Sequence, residues 1–227
     1  MSRLVVIVPS RGRPANAWRF AQHWALGTDH ADLRIAVDDD DPELPGYREH
    51  FSEPTLVVGP RKRMVPTLND VAMSLVDEYD ALGFAGDDHC LRTRHGDKHI
   101  MATLEEPGVG IVYGNDLLQG EMLPTFVFLR ASIVKALGYM APPGCLHLFV
   151  DNAWKAWGQG ARCLRYLPDL VLEHLHPLVG KAPGDAGYDE VNELYGRDRK
   201  AWELYERVRL NQDVEKIKVA MLAPAQA

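Results

Sequence analysis

The stretch ALGFAGDDHC, residues 81–90, joins a strand-like apolar run to a sudden cluster of ligand atoms. The apolar run ends in two carboxylates and an imidazole, those of Asp87, Asp88 and His89. In an open α/β sheet, ligands bind beyond the carboxyl ends of the strands, where these side chains would lie. Two adjacent carboxylates at such a site are costly unless donors or a cation compensate their charge. A hard divalent cation that also contacts phosphate oxygens would do so, and an ordinary acidic turn is the alternative.

Length and composition indicate a globular protein with one substantial α/β domain. The chain has 227 residues, of which 46% are hydrophobic and 25% are charged. Its formal net charge of -7 provides no general electrostatic attraction for nucleic acid or an anionic membrane. The cysteines, Cys90, Cys145 and Cys163, lack the spacing of a disulfide framework or a zinc site. No apolar segment approaches the length of a membrane span. We therefore expect a cytoplasmic protein that does not bind nucleic acid.

Strand patterns alternate with helices or polar loops along most of the chain. Besides the opening stretch, the strand patterns lie at residues 4–8, 32–37, 55–58, 109–113, 125–130, 162–167 and 170–175. Helix patterns begin at Pro14 and Pro66. This alternation predicts an α/β fold in which a mainly parallel central sheet lies between layers of helices.

The last part of the chain has a different composition. Residues 188–222 are charged and helix-prone, with apolar residues at helical spacing. We expect a domain at residues 1–180 and a C-terminal helical extension, residues 181–227, packed on it. Residues 178–187 read as a flexible joint between the two.

Polar side chains follow the first two strand patterns. The PSRGRP loop puts Ser10, Arg11 and Arg13 at a helix N-terminus, where backbone donors and the helix dipole favour an anion such as a phosphate. Alternatively, both arginines are solvated. The second strand ends in four carboxylates, of which Asp38 is placed to hydrogen-bond a base or a ribose. We expect most of residues 39–41 to face solvent.

Two late histidines, His174 and His176, follow one another at a spacing of two residues. On a strand, this spacing places both side chains on the same face, so either or both could approach one cation. Histidine with aspartate is compatible with Mn²⁺, Mg²⁺ or Zn²⁺. A structural role for both imidazoles is the alternative.

The order of these motifs resembles that of the GT-A glycosyltransferases, which are nucleotide-sugar-dependent enzymes, and most closely their large inverting family. The segments that carry the resemblance, within residues 4–177, are VIVPSRGRP, AVDDDDP, VPTLNDVAMSL, GFAGDDHCLRT, FVDNAWKAWGQG and RCLRYLPDLVLEHLHP. The resemblance implies a three-layer α/β/α domain of GT-A type. It also implies a hexosyltransferase-type activity that moves a sugar, with inversion, from a UDP- or GDP-linked donor to an acceptor hydroxyl that the sequence does not identify.

The resemblance further implies roles for individual residues. Asp88 would bind Mn²⁺ or Mg²⁺ together with His174 or His176. Asp151 would act as the general base that deprotonates the acceptor. The implied nucleotide contacts are Pro9, Ser10, Arg11, Arg13, Asp38, Arg63, Asn69 and Asp87.

The sequence departs from the family's pattern at two places. The metal motif contains adjacent Asp87 and Asp88 where Asp-x-Asp is usual, so the following His89 is a further candidate ligand. Asp151 is followed by Asn152 where the family often has a second acid. A helix N-cap is the alternative role for Asp151, because aspartate is among the best capping residues.

Three other functions compete with sugar transfer. A nucleotidyltransferase on a similar fold usually has a glycine-rich first loop and a lysine, whereas PSRGRPANA has one glycine and no lysine. A non-catalytic carbohydrate-binding or structural module would not need the Asp87, Asp88 and His89 cluster. A metal-dependent hydrolase built on the two acids and three histidines would turn over without an activated donor.

Overall fold

The structure, a computed structural model, describes residues 3–176, 180 and 186–222, with backbone only for residues 186–192. The strands are β1 (Leu4–Ser10), β2 (Asp32–Asp38), β3 (Leu56–Gly59), β4 (Ala81–Phe84), β5 (His89–Leu91), β6 (Ile111–Asn115), β7 (Val127–Arg130) and β8 (Leu164–His174). The helices are α1 (Pro14–Gly27), α2 (Leu44–His50), α3 (Met64–Leu75), α4 (Gly96–Glu105), α5 (Ala131–Leu137), α6 (Val150–Gly160), α7 (Ala186–Val208) and α8 (Leu210–Leu222), with a 3-10 turn at Gly120–Met122. No helix within the described ranges is long and apolar enough to cross a membrane.

The described strands form one sheet in the order β3-β2-β1-β4-β7-β6-β8-β5. The pairs β1–β2, β2–β3, β1–β4 and β6–β8 are parallel, and only β7 and β5 run against the other strands. The carboxyl ends of β1, β2, β4 and β8 therefore lie at the same edge of the sheet. This edge carries Ser10, Asp38, the Asp87-Asp88 pair and His174.

Two hydrophobic cores cover the two faces of the sheet. Val5 and Ile7 of β1 pack with side chains of α3, α5, α6, α7 and α8, whereas Leu4, Val6 and Val8 pack with α1, α2 and α4. Successive side chains of a strand point to opposite faces, so a strand covered on both sides is apolar throughout. The three-layer α/β/α arrangement expected from the sequence is therefore confirmed.

Two elements differ from the sequence prediction. Helix α2 was not predicted, because Pro45 and Gly46 near its start resemble a loop signal. The two strands predicted at 162–167 and 170–175 form the single strand β8. Its Pro168 is accommodated where the register with β6 shifts between Gly114 and Asn115, since an irregularity in the ladder tolerates a residue without an N–H group.

The C-terminal helices pack on the sheet domain around a fully buried carboxylate in α8. Asp213 accepts hydrogen bonds from the hydroxyls of Tyr139 and Tyr205, the latter at 2.6 Å. Tyr205 in turn accepts a hydrogen bond from Trp157 Nε1 at 2.8 Å. The division of the chain at residue 180 remains a prediction, and most of the predicted joint at 178–187 lies outside the described residues.

The close approach of β6 and β8 yields a stability prediction. A Cβ atom at Gly114 would lie 2.1 Å from the backbone oxygen of Leu170. We expect Gly114→Ala to lower the free energy of unfolding by about 3 kcal/mol, because the backbone must move apart. At Gly59 a Cβ meets nothing within 4 Å, so Gly59→Ala should change stability by less than about 0.5 kcal/mol. Urea unfolding compares the two, and equal stabilities would contradict the close approach.

Candidate active site

A cavity of about 490 Å³ opens at the sheet edge where these strands end. Its volume is in the usual range for small-molecule sites. The predicted site residues that line it are Pro9, Ser10, Arg11, Arg13, Asp38, Arg63, Asp87, Asp88, Asp151, His174 and His176. Side chains from four strand ends, the loop before α3 and the start of α6 thus share one cavity.

The carboxylate of Asp88 lies between two imidazoles. Its Oδ1 atom is 3.1 Å from His89 Nδ1, and its Oδ2 atom is 3.3 Å from His174 Nε2. The two rings stack with their centroids 4.2 Å apart. They stack because β5 pairs antiparallel with β8 and places His89 directly opposite His174.

Burial and hydrogen bonding set the charges of this group. Burial opposes ionisation of Asp88, but hydrogen bonds with His174 and His89 outweigh it and hold the pKa of this carboxyl well below its usual range. Burial lowers the pKa of His89, so its imidazole is neutral. Its Nδ1 atom carries the proton, because an ionised carboxylate can only accept. For His174, the carboxylates of Asp116 and Asp88 outweigh burial and raise the imidazole pKa to about 9.

The same group has a donor set that fits a divalent cation, which would displace the proton of His174 because a metal-ligating imidazole is neutral. One ligand atom from each of Asp88, His89 and His174 lies within 4.8 Å of the others, so one cation could contact all three. The Nε2 atom of His89 is buried and has no hydrogen-bond partner within the described part of the chain. Such an unsatisfied atom is costly unless a ligand uses it. His176 was predicted to belong to this group but lies outside it, with its ring centroid 5.0 Å from that of His174.

Asp116, directly after β6, was missed by the sequence analysis. It is buried, and its Oδ1 atom accepts hydrogen bonds from the backbone N–H groups of residues 118–120, while Oδ2 accepts one from the hydroxyl of Thr125. Its Oδ2 atom lies 3.9 Å from His174 Nδ1, and its carbonyl accepts the His174 N–H. Asp116 therefore fixes the loop at residues 118–120 and places a negative charge on the far side of the His174 ring. An acid directly after a strand, the signal used at β2 and β4, could have identified it.

A chain of hydrogen bonds from α2 supports Asp87. The Arg13 N–H donates to the Tyr47 hydroxyl at 2.9 Å, which bonds the Ser10 hydroxyl at 2.7 Å, and Ser10 donates to Asp87 Oδ2 at 2.6 Å. The Arg13 guanidinium lies 3.5 Å from Asp87 Oδ1. Burial and the neighbouring charge of Asp88 outweigh these contacts and raise the pKa of Asp87 to about 6. Tyr47 was missed because α2, which carries it, was not predicted.

The acids after β2 contact the basic loop at the end of β1, residues 9–14. Arg11 Nη1 lies 3.0 Å from Asp38 Oδ2 and 2.5 Å from Asp40 Oδ1, so it bridges the two carboxylates. Asp41 is buried and accepts the Gly12 N–H at 2.7 Å. Asp41 is thus an exception to the solvent exposure expected for most of these acids, because it holds the basic loop to the start of α2.

Asp151 occupies the first turn of α6 and faces the cavity. The residue at the helix N-cap is Phe149, with φ 67°, so Asp151 is not the cap. Its Oδ1 atom accepts the N–H of Asn152 at 2.9 Å, and within the described residues its hydrogen bonds go to backbone groups alone. Burial raises the pKa of this carboxyl. Asp151 is therefore a half-buried carboxylate with no side-chain hydrogen bond in the described structure.

The predicted nucleotide contact of Asn69 finds no support in this geometry. Its Oδ1 atom accepts the N–H groups of Met140 and Ala141 at 2.9 and 2.8 Å, and its Nδ2 atom donates to the Ala141 carbonyl at 3.0 Å. Asn69 does not line the cavity. Its amide instead fastens the loop after α5 to α3.

Several solved structures share this architecture. Glucosyl-3-phosphoglycerate synthase from Mycobacterium tuberculosis, solved with Mg²⁺ and UDP, aligns with a TM-score of 0.60 at 12% identity, over 98% of this chain and 80% of that one. A mannosyltransferase from Pyrobaculum calidifontis, in complex with GDP-Man and Mn²⁺, aligns with a TM-score of 0.55 at 13% identity, over 96% and 73%. A putative nucleotide-diphospho-sugar transferase from Desulfovibrio desulfuricans G20 aligns with a TM-score of 0.52 at 14% identity, over 97% of both chains. The protein has the GT-A fold.

The GT-A fold implied by the sequence motifs is thereby confirmed. No protein-family model matches the sequence, and no curated protein is similar to it in sequence. At 12 to 14% identity the likeness establishes the fold alone, and the activity must be argued from the cavity.

The position of Asn69 yields a second prediction. Asn69→Ala should lower the free energy of unfolding by about 2 kcal/mol, because two backbone N–H groups lose their acceptor. The control is Asp70→Ala, which removes an exposed ion pair with Lys62 and should cost less than about 1 kcal/mol. Denaturant unfolding and nucleotide-induced shifts in Tm are measured on both. A stable Asn69→Ala variant without a nucleotide response would instead restore the predicted ligand contact.

Proposed function

We propose that the protein is a metal-dependent glycosyltransferase that moves a sugar from a nucleoside diphosphate to an acceptor hydroxyl with inversion. The observation that carries the proposal is one cavity that contains the Asp88, His89 and His174 group together with Asp151. Two proteins of the same fold were solved with GDP-Man and Mn²⁺ or with UDP and Mg²⁺, which supports this choice of donor and cation.

The basic side of the cavity suits the donor's diphosphate. Arg11, Arg13, Arg61 and Arg63 line the cavity. Guanidinium groups recognise phosphate oxygens through paired hydrogen bonds. These side chains would therefore hold the diphosphate next to the sheet edge that carries Asp87 and Asp88. Asp38, oriented by Arg11, would accept a hydrogen bond from the base or the ribose.

Asp88, His89 and His174 would hold the cation. Their imidazole nitrogens favour a transition metal such as Mn²⁺ over Mg²⁺, which prefers oxygen ligands. When bound, such a cation neutralises the charge that develops on the leaving diphosphate. Asp116 would act on the far side of His174 through its charge, since its Oδ2 atom lies 3.9 Å from Nδ1 of that ring.

Asp151 would act on the acceptor. As the acceptor oxygen bonds to the anomeric carbon and the bond to the diphosphate breaks, the hydroxyl proton passes to the Asp151 carboxylate. Burial raises the pKa of this group, which makes its ionised form a stronger base. A single displacement of this kind inverts the configuration at the anomeric carbon.

A metal-dependent hydrolase is the competing function, because the same three side chains would suit its cation. The arginines and Asp38 favour a nucleotide-linked donor instead. The two functions differ in one result: a hydrolase turns over a substrate that carries no nucleoside diphosphate.

Thermal unfolding with UDP, GDP and their sugars, with and without Mn²⁺, tests the proposal. A nucleotide at about 100 times its Kd stabilises the folded state by about 2.7 kcal/mol, which raises Tm by about 5 to 10 °C for a chain of this size. We expect this rise to require Mn²⁺ and to disappear in Asp88→Asn. Asp70→Ala, an exposed control, should keep it. The proposal is rejected if no nucleotide gives a metal-dependent rise, or if Asp88→Asn responds like the wild type.

Asp151→Asn separates binding from transfer. This variant should keep the nucleotide-induced rise in Tm but lose turnover by about 100-fold or more, because the acceptor proton has no base. In the wild type, turnover should fall as pH decreases through the Asp151 pKa, which burial places above the ordinary aspartate value of about 3.9. Release of the nucleoside diphosphate measures both effects. Wild-type turnover in Asp151→Asn would remove this residue from the base role.

A further inference from the structure

Asp198 in α7 is a fully buried carboxylate that binds the backbone of a distant segment. Its Oδ1 atom accepts the N–H of Leu146 at 3.0 Å, and its Oδ2 atom accepts those of His147 and Leu148 at 2.8 and 2.9 Å. These three residues lie 50 to 52 positions before Asp198 in the chain. Three successive N–H groups on one carboxylate fix the orientation of the peptide units that carry them.

The segment held in this way is a wall of the active-site cavity. We define the wall segment as residues 146–149, of which His147, Leu148 and Phe149 line the cavity. Its other anchor is the carbonyl of Leu146, which accepts the N–H of Val65 in the first turn of α3 at 3.0 Å. The segment continues directly into α6, whose first turn carries the proposed base.

Helix α7 contributes more than this one carboxylate. Leu194, one turn before Asp198, lines the cavity itself. The ring of Tyr195 lies 5.7 Å from that of Phe149, which adopts a left-handed backbone conformation with φ 67° where the wall segment enters α6. The C-terminal helices are therefore part of the cavity's construction.

The wall segment presents an imidazole that no step of the proposed transfer uses. The charges that act on the His147 ring are those of Asp198, Arg13, Asp88 and Arg63. Burial lowers its pKa to about 4, so the ring is neutral at physiological pH and can hydrogen-bond an uncharged hydroxyl. Its backbone N–H is one of the three that Asp198 holds.

We propose that Asp198 is a positioning residue of the active site, through which α7 holds the wall segment and thereby places His147 and the start of α6 for sugar transfer. The proposal rests on the proposed transferase function. It makes the contact between α7 and the wall segment a requirement for turnover, whereas donor and cation binding depend on groups at the ends of the strands.

The test compares Asp198→Asn with Asp213→Asn. Both residues are fully buried acids of the C-terminal helices, but Asp213 accepts tyrosine hydroxyls and does not line the cavity. In Asp198→Asn an NH₂ group replaces one acceptor oxygen. Whichever way the new amide turns, its NH₂ group faces an N–H of the wall segment, so we expect one or more of the Leu146, His147 and Leu148 amides to exchange with solvent about 10-fold faster or more. In Asp213→Asn these three amides should exchange at the wild-type rate.

Turnover is measured on UDP-glucose and GDP-mannose with Mn²⁺, at a temperature at which both variants are folded. Asp198→Asn should lower kcat by about 10-fold or more, because small displacements of reacting groups have large effects. Its KM for the sugar nucleotide and its metal-dependent rise in Tm should stay near the wild-type values. Asp213→Asn should keep kcat within about twofold of the wild type.

Two results would overturn the inference alone. One is unchanged exchange at all three amides of Leu146, His147 and Leu148 in Asp198→Asn, and the other is a kcat equal to that of Asp213→Asn. If Asp198→Asn does not fold, Asp198→Glu takes its place, because it keeps the carboxylate but shifts the wall segment. The same two results in Asp198→Glu would overturn the inference. A wild-type protein with no metal-dependent nucleotide response would instead reject the proposed function.

Discussion

A buried carboxylate stays ionised only where donors or a cation surround it, and this constraint shapes the acidic edge of the sheet. Three buried acids of this edge have such donors, each of a different kind. Asp88 lies between two imidazoles, Asp116 accepts three backbone N–H groups, and Asp87 is held by a hydroxyl and a guanidinium. Of these three acids, only Asp87 has a raised pKa. Its burial and the neighbouring charge of Asp88 raise the pKa to about 6. The edge is therefore arranged for cationic or donor groups before any ligand is considered.

The fold and the composition of this edge could be predicted because both depend on local patterns. Apolar strands of parallel direction place the residues that follow them at one edge, so Asp38 and Asp88 were found from their positions after strands. The pairing of His89 with His174 could not be found in this way, because the register of β5 against β8 is set by residues far apart in the chain. Spacing along one strand identified His174 and His176 together and could not decide between them.

Asn69 and Asp198 illustrate the same limit for polar side chains. An asparagine near the start of a helix has the same sequence pattern whether its side chain meets a ligand or a neighbouring loop. For Asn69, the tertiary contacts with Met140 and Ala141 show that it meets a loop. In the charged helix that contains Asp198, only the apolar residues were expected to pack on the domain, yet this acid is fully buried. Its partners are backbone N–H groups, which carry no signature in the sequence.

The different environments of the cavity's acids bear on the choice between transfer and hydrolysis. A cation-binding acid must be ionised, whereas a general base works best with a raised pKa, and sites that need both roles separate the two environments. Hydrogen bonds from two imidazoles lower the pKa of Asp88, while burial without a side-chain hydrogen bond raises that of Asp151. A hydrolase whose water is activated on its cation needs no second carboxylate of this kind. An inverting transfer needs one, because the acceptor approaches from the face opposite the diphosphate, and this difference favours the transferase.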